Sequence, residues 1–134
     1  MFLFDAGVWI AAKDSDEPHF ESARGLVLDA ALPAGALDLT YYEVANVVGV
    51  RKGRADVAGE LCRTIDVRCA GRVVTVDSGL AGEALDVAAE HGLTAYDAAY
   101  VAAARRHDWT LVSADIRDLV SKGLAVAPDA ADYP

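Results

Sequence analysis

The chain has 134 residues, 54% of them hydrophobic and 25% charged, enough for one core and too apolar for compositional disorder. Twelve Lys and Arg stand against 21 Asp and Glu, a formal charge of −9. That balance argues against simple, non-specific attraction to nucleic acid or an anionic membrane, so a polyanionic substrate would need local bases or cations held by the acids. No apolar run approaches the ~20 residues of a membrane span. The start "MFLFD" lacks the basic n-region of a signal peptide, so a soluble, cytoplasmic protein is expected. Cys62 and Cys69 are the two cysteines; on one helix they would lie about 10 Å apart along the axis, beyond disulfide reach.

In chain order, "MFLF" (1–4) reads as a short strand and "DAGVWIAAK" (5–13) as a helix start. A helix over about 17–31 follows the loop "SDEP", with Pro18 in its first turn, and "ALPAGA" breaks it. "LDLT" (37–40) reads as a second strand. Val44, Val47, Val48 and Val50 mark a helix in 41–53 that stops at Gly53, and 55–71 is another that stops at Gly71. "RVVTV" (72–76) is a β-branched strand, 77–92 a helix ending in glycine and 94–107 an alanine-rich helix. "TLVSA" (110–114) is a strand, and "LAVAP" (124–128) a last short one. Alternating strands and helices predict an α/β/α sandwich whose short strands form a mostly parallel sheet, in a single domain over 1–134.

In such sheets ligands bind beyond the carboxyl ends of the strands. Asp5 follows the first strand, Glu43 lies just beyond "LDLT", and Asp115 follows "TLVSA". Asp97 opens the alanine-rich helix, three residues after Thr94, which fits a capping box and suits the helix dipole. If these four acids converge, like charges raise their pKa values and repel. A hard divalent cation resolves that conflict, and oxygen-only ligands favour Mg²⁺ or Mn²⁺, suited to phosphodiester hydrolysis. Asp77 also follows a strand, but reads as the cap of the helix after it.

"FLFDAGVWIA", "TYYEVANVV", "LTAYDAAYVAAA" and "TLVSAD" resemble, in order and spacing, the four acidic motifs of the PIN domain, and in particular of the VapC toxins of bacterial and archaeal toxin–antitoxin pairs. The resemblance implies a PIN-like fold and an acidic, catalytic pocket of Asp5, Glu43, Asp97 and Asp115, with Asp5, Asp97 and Asp115 as metal ligands. Ser113 matches a hydroxyl two residues before the last acid, and Asn46 a polar residue at i+3 from Glu43. It further implies a Mg²⁺- or Mn²⁺-dependent endoribonuclease that acts as the toxin of a type II pair, forms a homodimer and is silenced by a VapB antitoxin. Helices 17–31 and 43–71 would offer that antitoxin its groove. The family commonly carries Ser or Thr two residues after the first Asp, where this chain has Gly7.

From another functional class, a PIN fold that keeps its acids only to bind a partner is the alternative. "FLFDAGVW" also resembles the first motif of haloacid-dehalogenase-type phosphatases, but Gly7 stands where their second acid is needed. His107 reads as a helix-end residue, His19 as solvated or capping, Trp9 and Trp109 as core, and Asp118 as a solvated acid. The bases Arg51, Lys52 and Arg54 cluster near the end of the Glu43 helix, Arg105 and Arg106 at the far end of the Asp97 helix.

Overall fold

The computed structural model describes residues 1–132. Four strands, β1 (Phe2–Phe4), β2 (Ala34–Leu37), β3 (Val73–Val74) and β4 (Thr110–Val112), form one sheet in the order β3-β2-β1-β4. All pairings are parallel: Phe2 registers with Ala34 and with Thr110, Phe4 with Val112, and Leu37 with Val74. Beyond β4 a single parallel bridge joins Val112 to Val126.

The strands carry no polar side chain except at the edges because both faces are covered, and the period of two divides them cleanly. Phe2, Phe4, Ala34, Ala36 and Val112 face one core, shared with Val8 and Trp9 of α1 (Ala6–Ala11), Ala23 and Val27 of α2 (Phe20–Leu28), and Leu61 and Ile65 of α4 (Ala55–Arg68). Leu3, Leu37 and Leu111 face the other core, with Leu80, Ala84 and Val87 of α5 (Ser78–His91) and residues 98–104 of α6 (Ala95–His107). Trp9 meets Phe4 edge-on at 5.4 Å between ring centroids, so it is core. Trp109 packs on the second core and stacks on His107 at 4.8 Å. Its ring also explains Gly35: a Cβ on that residue would lie 2.6 Å from Trp109 Cζ3.

Local chemistry sets the helix ends. Asp77 Oδ1 accepts from Leu80 N at 2.8 Å and starts α5, and Gly92, at φ 67°, ends it in the left-handed region. The thiols of Cys62 and Cys69 are free. No helix of the described residues is long and apolar enough to cross a membrane.

Several elements differ from expectation. "LDLT" is not a strand: the chain leaves β2 at Leu37, and Leu39 opens α3 (Leu39–Val44), so Glu43 sits on a helix. Side chains make this turn, because Thr40 Oγ1 accepts from Leu37 N at 3.2 Å and Asp38 Oδ1 from Val76 N at 3.1 Å. The helix runs on through wider π turns at Ala45–Arg51. The expected helix 17–31 is confined to α2, with Pro18 in the turn before it, and the strand 72–76 shrinks to two residues. "LAVAP" contributes one bridge at Val126, and a 3₁₀ turn takes Pro128–Ala130.

Candidate metal-binding active site

The parallel sheet sends the ends of β1, β2 and β4 to one edge. There Asp5, Glu43, Asp97, Tyr100 and Asp115, with Ala6, Gly7 and Ala114, line a cleft of about 310 Å³. The sequence-expected acids thus meet in one place, drawn from four separated segments. None of the eight lining residues is Lys, Arg or His, so no basic side chain of the lining answers the charge.

Asp5, Asp97 and Asp115 each sit at a helix or turn start. Asp5 caps α1: its Oδ1 accepts from Val8 N at 3.1 Å, and its Oδ2 accepts from the Ser113 hydroxyl. Ser113 Oγ in turn accepts from Asp115 N at 2.9 Å, tying the first acid to the last. Asp115 Oδ1 accepts from Asp118 N at 2.9 Å and so starts the turn Ile116–Val120. Thr94 caps α6 by accepting from Asp97 N at 3.2 Å. This capping bond uses the Asp97 backbone, while its side chain lines the cleft.

The electrostatics follow from burial and crowding. Asp5 is 7% exposed, and burial pushes its pKa from 3.8 up to about 7, against the pull of Ser113 and the Val8 amide; the Glu43 and Asp97 charges add to the rise. Burial also raises Glu43, opposed by the Tyr100 hydroxyl and helped by the Asp97 charge. Asp97 is raised by burial and then by the charges of Asp115 and Asp118. Three carboxyls are thus held above their ordinary range at one spot, the condition that a cation relieves.

The donor set fits a hard cation. Asp97, Asp115 and Asp118 each offer a carboxylate oxygen, all within 4.8 Å of one another, with no sulfur or imidazole among them. Sequence reasoning took Asp118 for a solvated acid; the clue was its place three residues after Asp115, where the capping turn folds it back. Asp5 lines the same cleft outside that trio. Also missed was Tyr100, fully buried, whose hydroxyl donates to Glu43 Oε1 at 2.8 Å.

Asn46 is exposed and lines, beside Glu43, a neighbouring hollow with Leu39, Tyr42, Val47 and Tyr96 rather than the acid cleft. Gly7 lies against the site: a Cβ there would stand 3.3 Å from Asp5 Oδ1 and 3.5 Å from Ala114 Cβ. Of the bases, Lys52 pairs with Asp14 at 3.1 Å, Arg54 with Asp56 at 3.6 Å and Arg106 with Glu83 at 2.7 Å. A hollow of about 330 Å³ at the other end of α6, lined by Arg105, Asp108 and Trp109 among others, matches the cleft in size without convergent carboxylates.

Similar solved structures share the architecture. A toxin–antitoxin complex from Klebsiella pneumoniae superposes with a TM-score of 0.71 at 19% identity, covering 96% of this chain and 98% of that one. The Mycobacterium tuberculosis VapC20, described as a sarcin–ricin-loop-cleaving toxin, gives 0.68 at 17% identity over 84% of this chain and 87% of that one. PAE2754 from Pyrobaculum aerophilum gives 0.63 at 27% identity over 96% and 90%. The curated proteins yield no match. The family model described as "PIN domain" matches residues 2–121, nearly the whole α/β framework and all the acids of the cleft, and the chain therefore belongs to the PIN domain family.

Proposed function

We propose that this chain is a Mg²⁺- or Mn²⁺-dependent endoribonuclease and the toxin of a type II toxin–antitoxin pair, a single PIN domain over 1–134 working in the cytoplasm. The observation that carries the reading is the cleft itself: carboxylates from four segments, those of Asp5, Glu43 and Asp97 with raised pKa values, and no basic residue in the lining. Asp97 and Asp115, with Asp118 beside them and Asp5 lining the same cleft, would hold the cation. When bound, it would offset the charge of the phosphate oxygens and make a water more acidic. The remaining work belongs to the chain's own groups. Ser113 and the Val8 amide hold both oxygens of Asp5 in place. Glu43 has one oxygen fixed by Tyr100, leaving the other to take the proton from the attacking water as the phosphodiester bond breaks. Asn46 lines the adjoining hollow beside Glu43, where it would meet the substrate.

The toxin assignment draws on the neighbours, among them a toxin–antitoxin complex and a toxin described as cleaving the sarcin–ricin loop. A VapB-type antitoxin is the proposed partner and a homodimer the proposed assembly. The surface between α2 and α4 suits an apolar segment of such a partner: Leu28 is 63% and Val67 78% exposed, beside Val27 and Arg63.

The test is cleavage of RNA by the purified chain. Activity should need Mg²⁺ or Mn²⁺, vanish with EDTA and fall with Asp115→Asn. A folded protein that binds Mn²⁺ but leaves a broad panel of structured RNAs intact would instead favour a non-catalytic binding module.

A further inference from the structure

Glu43 stands apart from the other acids in how it is held. It is on α3, half-buried, and its carboxylate is held by the Tyr100 hydroxyl of α6, 57 positions away. Tyr100 is 1% exposed and its hydroxyl lies 2.8 Å from Thr40 Oγ1, which is fully buried. Thr40 Oγ1 already accepts from Leu37 N at 3.2 Å.

These contacts fix a direction. The Leu37 amide can only donate, so Thr40 accepts there and has its own proton to give. An ionised Glu43 can only accept, so Tyr100 must give its proton to Glu43 and accept from Thr40. Burial, then the Glu43 charge, pushes the Tyr100 hydroxyl well above its ordinary 10, so it remains a donor. The chain of donors therefore starts at the last residue of β2 and ends on one carboxylate oxygen in the cleft. It also links the two helices that must keep their spacing for Glu43 to face Asp97. Tyr100 is one turn along α6 from Asp97, so the helix that supplies that acid also aims Glu43.

We infer that Tyr100, fixed by Thr40, is a positioning residue that holds Glu43 in the orientation for proton transfer. The inference rests on the nuclease reading of the cleft. Its content beyond that reading is that Tyr100 acts through Glu43 and not as a core side chain alone.

A double-mutant cycle between Tyr100→Phe and Glu43→Ala tests it, read by single-turnover RNA cleavage and by Mn²⁺ affinity. With Glu43 present, Tyr100→Phe should slow cleavage about tenfold and weaken Mn²⁺ binding about threefold, with the half-saturating enzyme concentration little changed; in the Glu43→Ala background it should change either by less than about twofold. Thr40→Val should act in the same direction more weakly, and Thr40→Ser should recover most of that loss. If Tyr100→Phe is unfolded at the assay temperature, the Thr40 pair is run in the same cycle. Equal effects of Tyr100→Phe in both backgrounds, or none in the wild-type background, overturn the inference and leave the nuclease reading intact. A wild-type protein that neither binds Mn²⁺ nor cleaves RNA overturns both.

Discussion

Asp97→Asn should abolish most RNA cleavage while leaving the metal-free protein about as stable as wild type. The substitution preserves shape and the start of α6, because Thr94 caps that helix through the Asp97 backbone amide, which any residue supplies. Loss of the charge forfeits a helix-dipole contribution of roughly 0.3–1 kcal/mol. Against this, it removes one of three carboxylates whose oxygens crowd within 4.8 Å, and Asp97 is raised by burial and by the charges of Asp115 and Asp118. The two contributions oppose, so the metal-free melting temperature should be unchanged or slightly higher. With Mn²⁺ the variants should part. A ligand that binds only the folded state at 100 times its Kd stabilises it by about 2.7 kcal/mol, and an amide is the poorer ligand, so the wild type should gain more. Cleavage should fall on the order of 10²–10³-fold, the scale for losing one preorganised group that stabilises charge in the transition state. Thermal melts with and without Mn²⁺, beside a cleavage assay, measure both effects. Equal metal-induced shifts with intact cleavage would reduce Asp97 to a favourable charge at a helix start.

Asp5 gives the second large effect, on the pH dependence of stability. Its pKa is pushed from 3.8 to about 7 in the folded protein, chiefly by burial. The folded state therefore binds this proton more tightly than the unfolded chain does. The resulting stability is complete below about pH 4 and is lost as pH rises through about 7, by roughly 4 kcal/mol at 1.36 kcal/mol per pKa unit. Glu43 and Asp97, also raised, add in the same direction. Urea unfolding in EDTA should thus show the wild type less stable at pH 8 than at pH 5, and Asp5→Asn should lose much of that difference. Asparagine has an oxygen to accept from Val8 N, so the cap survives the change. Metal binding should run the other way: a cation favours ionised carboxyls, so Mn²⁺ affinity should climb over the same pH window. Matching pH profiles for the two proteins would mean that Asp5 ionises freely in the fold.

What could be read in advance was what local pattern encodes. The apolar runs around Phe2–Phe4 and Thr110–Val112 are strands because they are buried on both faces; Asp5 follows the first directly and Asp115 comes three residues after the second. Thr94, Asp77 and Gly92 announced their helix ends by ordinary capping chemistry. What was missed has non-local causes. "ALPAGA" reads as a helix break, yet its last three residues open β2, and Gly35 answers to Trp109, distant in sequence. Thr40 looked like a strand residue, but its hydroxyl bonds Leu37 and Tyr100, which converts "LDLT" into a turn and a helix start. Nothing local marks Tyr100, because its partner Glu43 lies 57 positions away. Asp118 joined the acids through a local bond to Asp115 whose consequence depends on where α6 places Asp97.

As proposed, the acidic cleft is a divalent-metal centre. Anomalous diffraction from crystals grown with Mn²⁺, collected above the manganese edge, tests it most directly. An anomalous peak is expected in the cleft, coordinated by carboxylate oxygens of Asp97 and Asp115. A cleft without manganese at saturating Mn²⁺, or manganese held only elsewhere on the acidic surface, would contradict it.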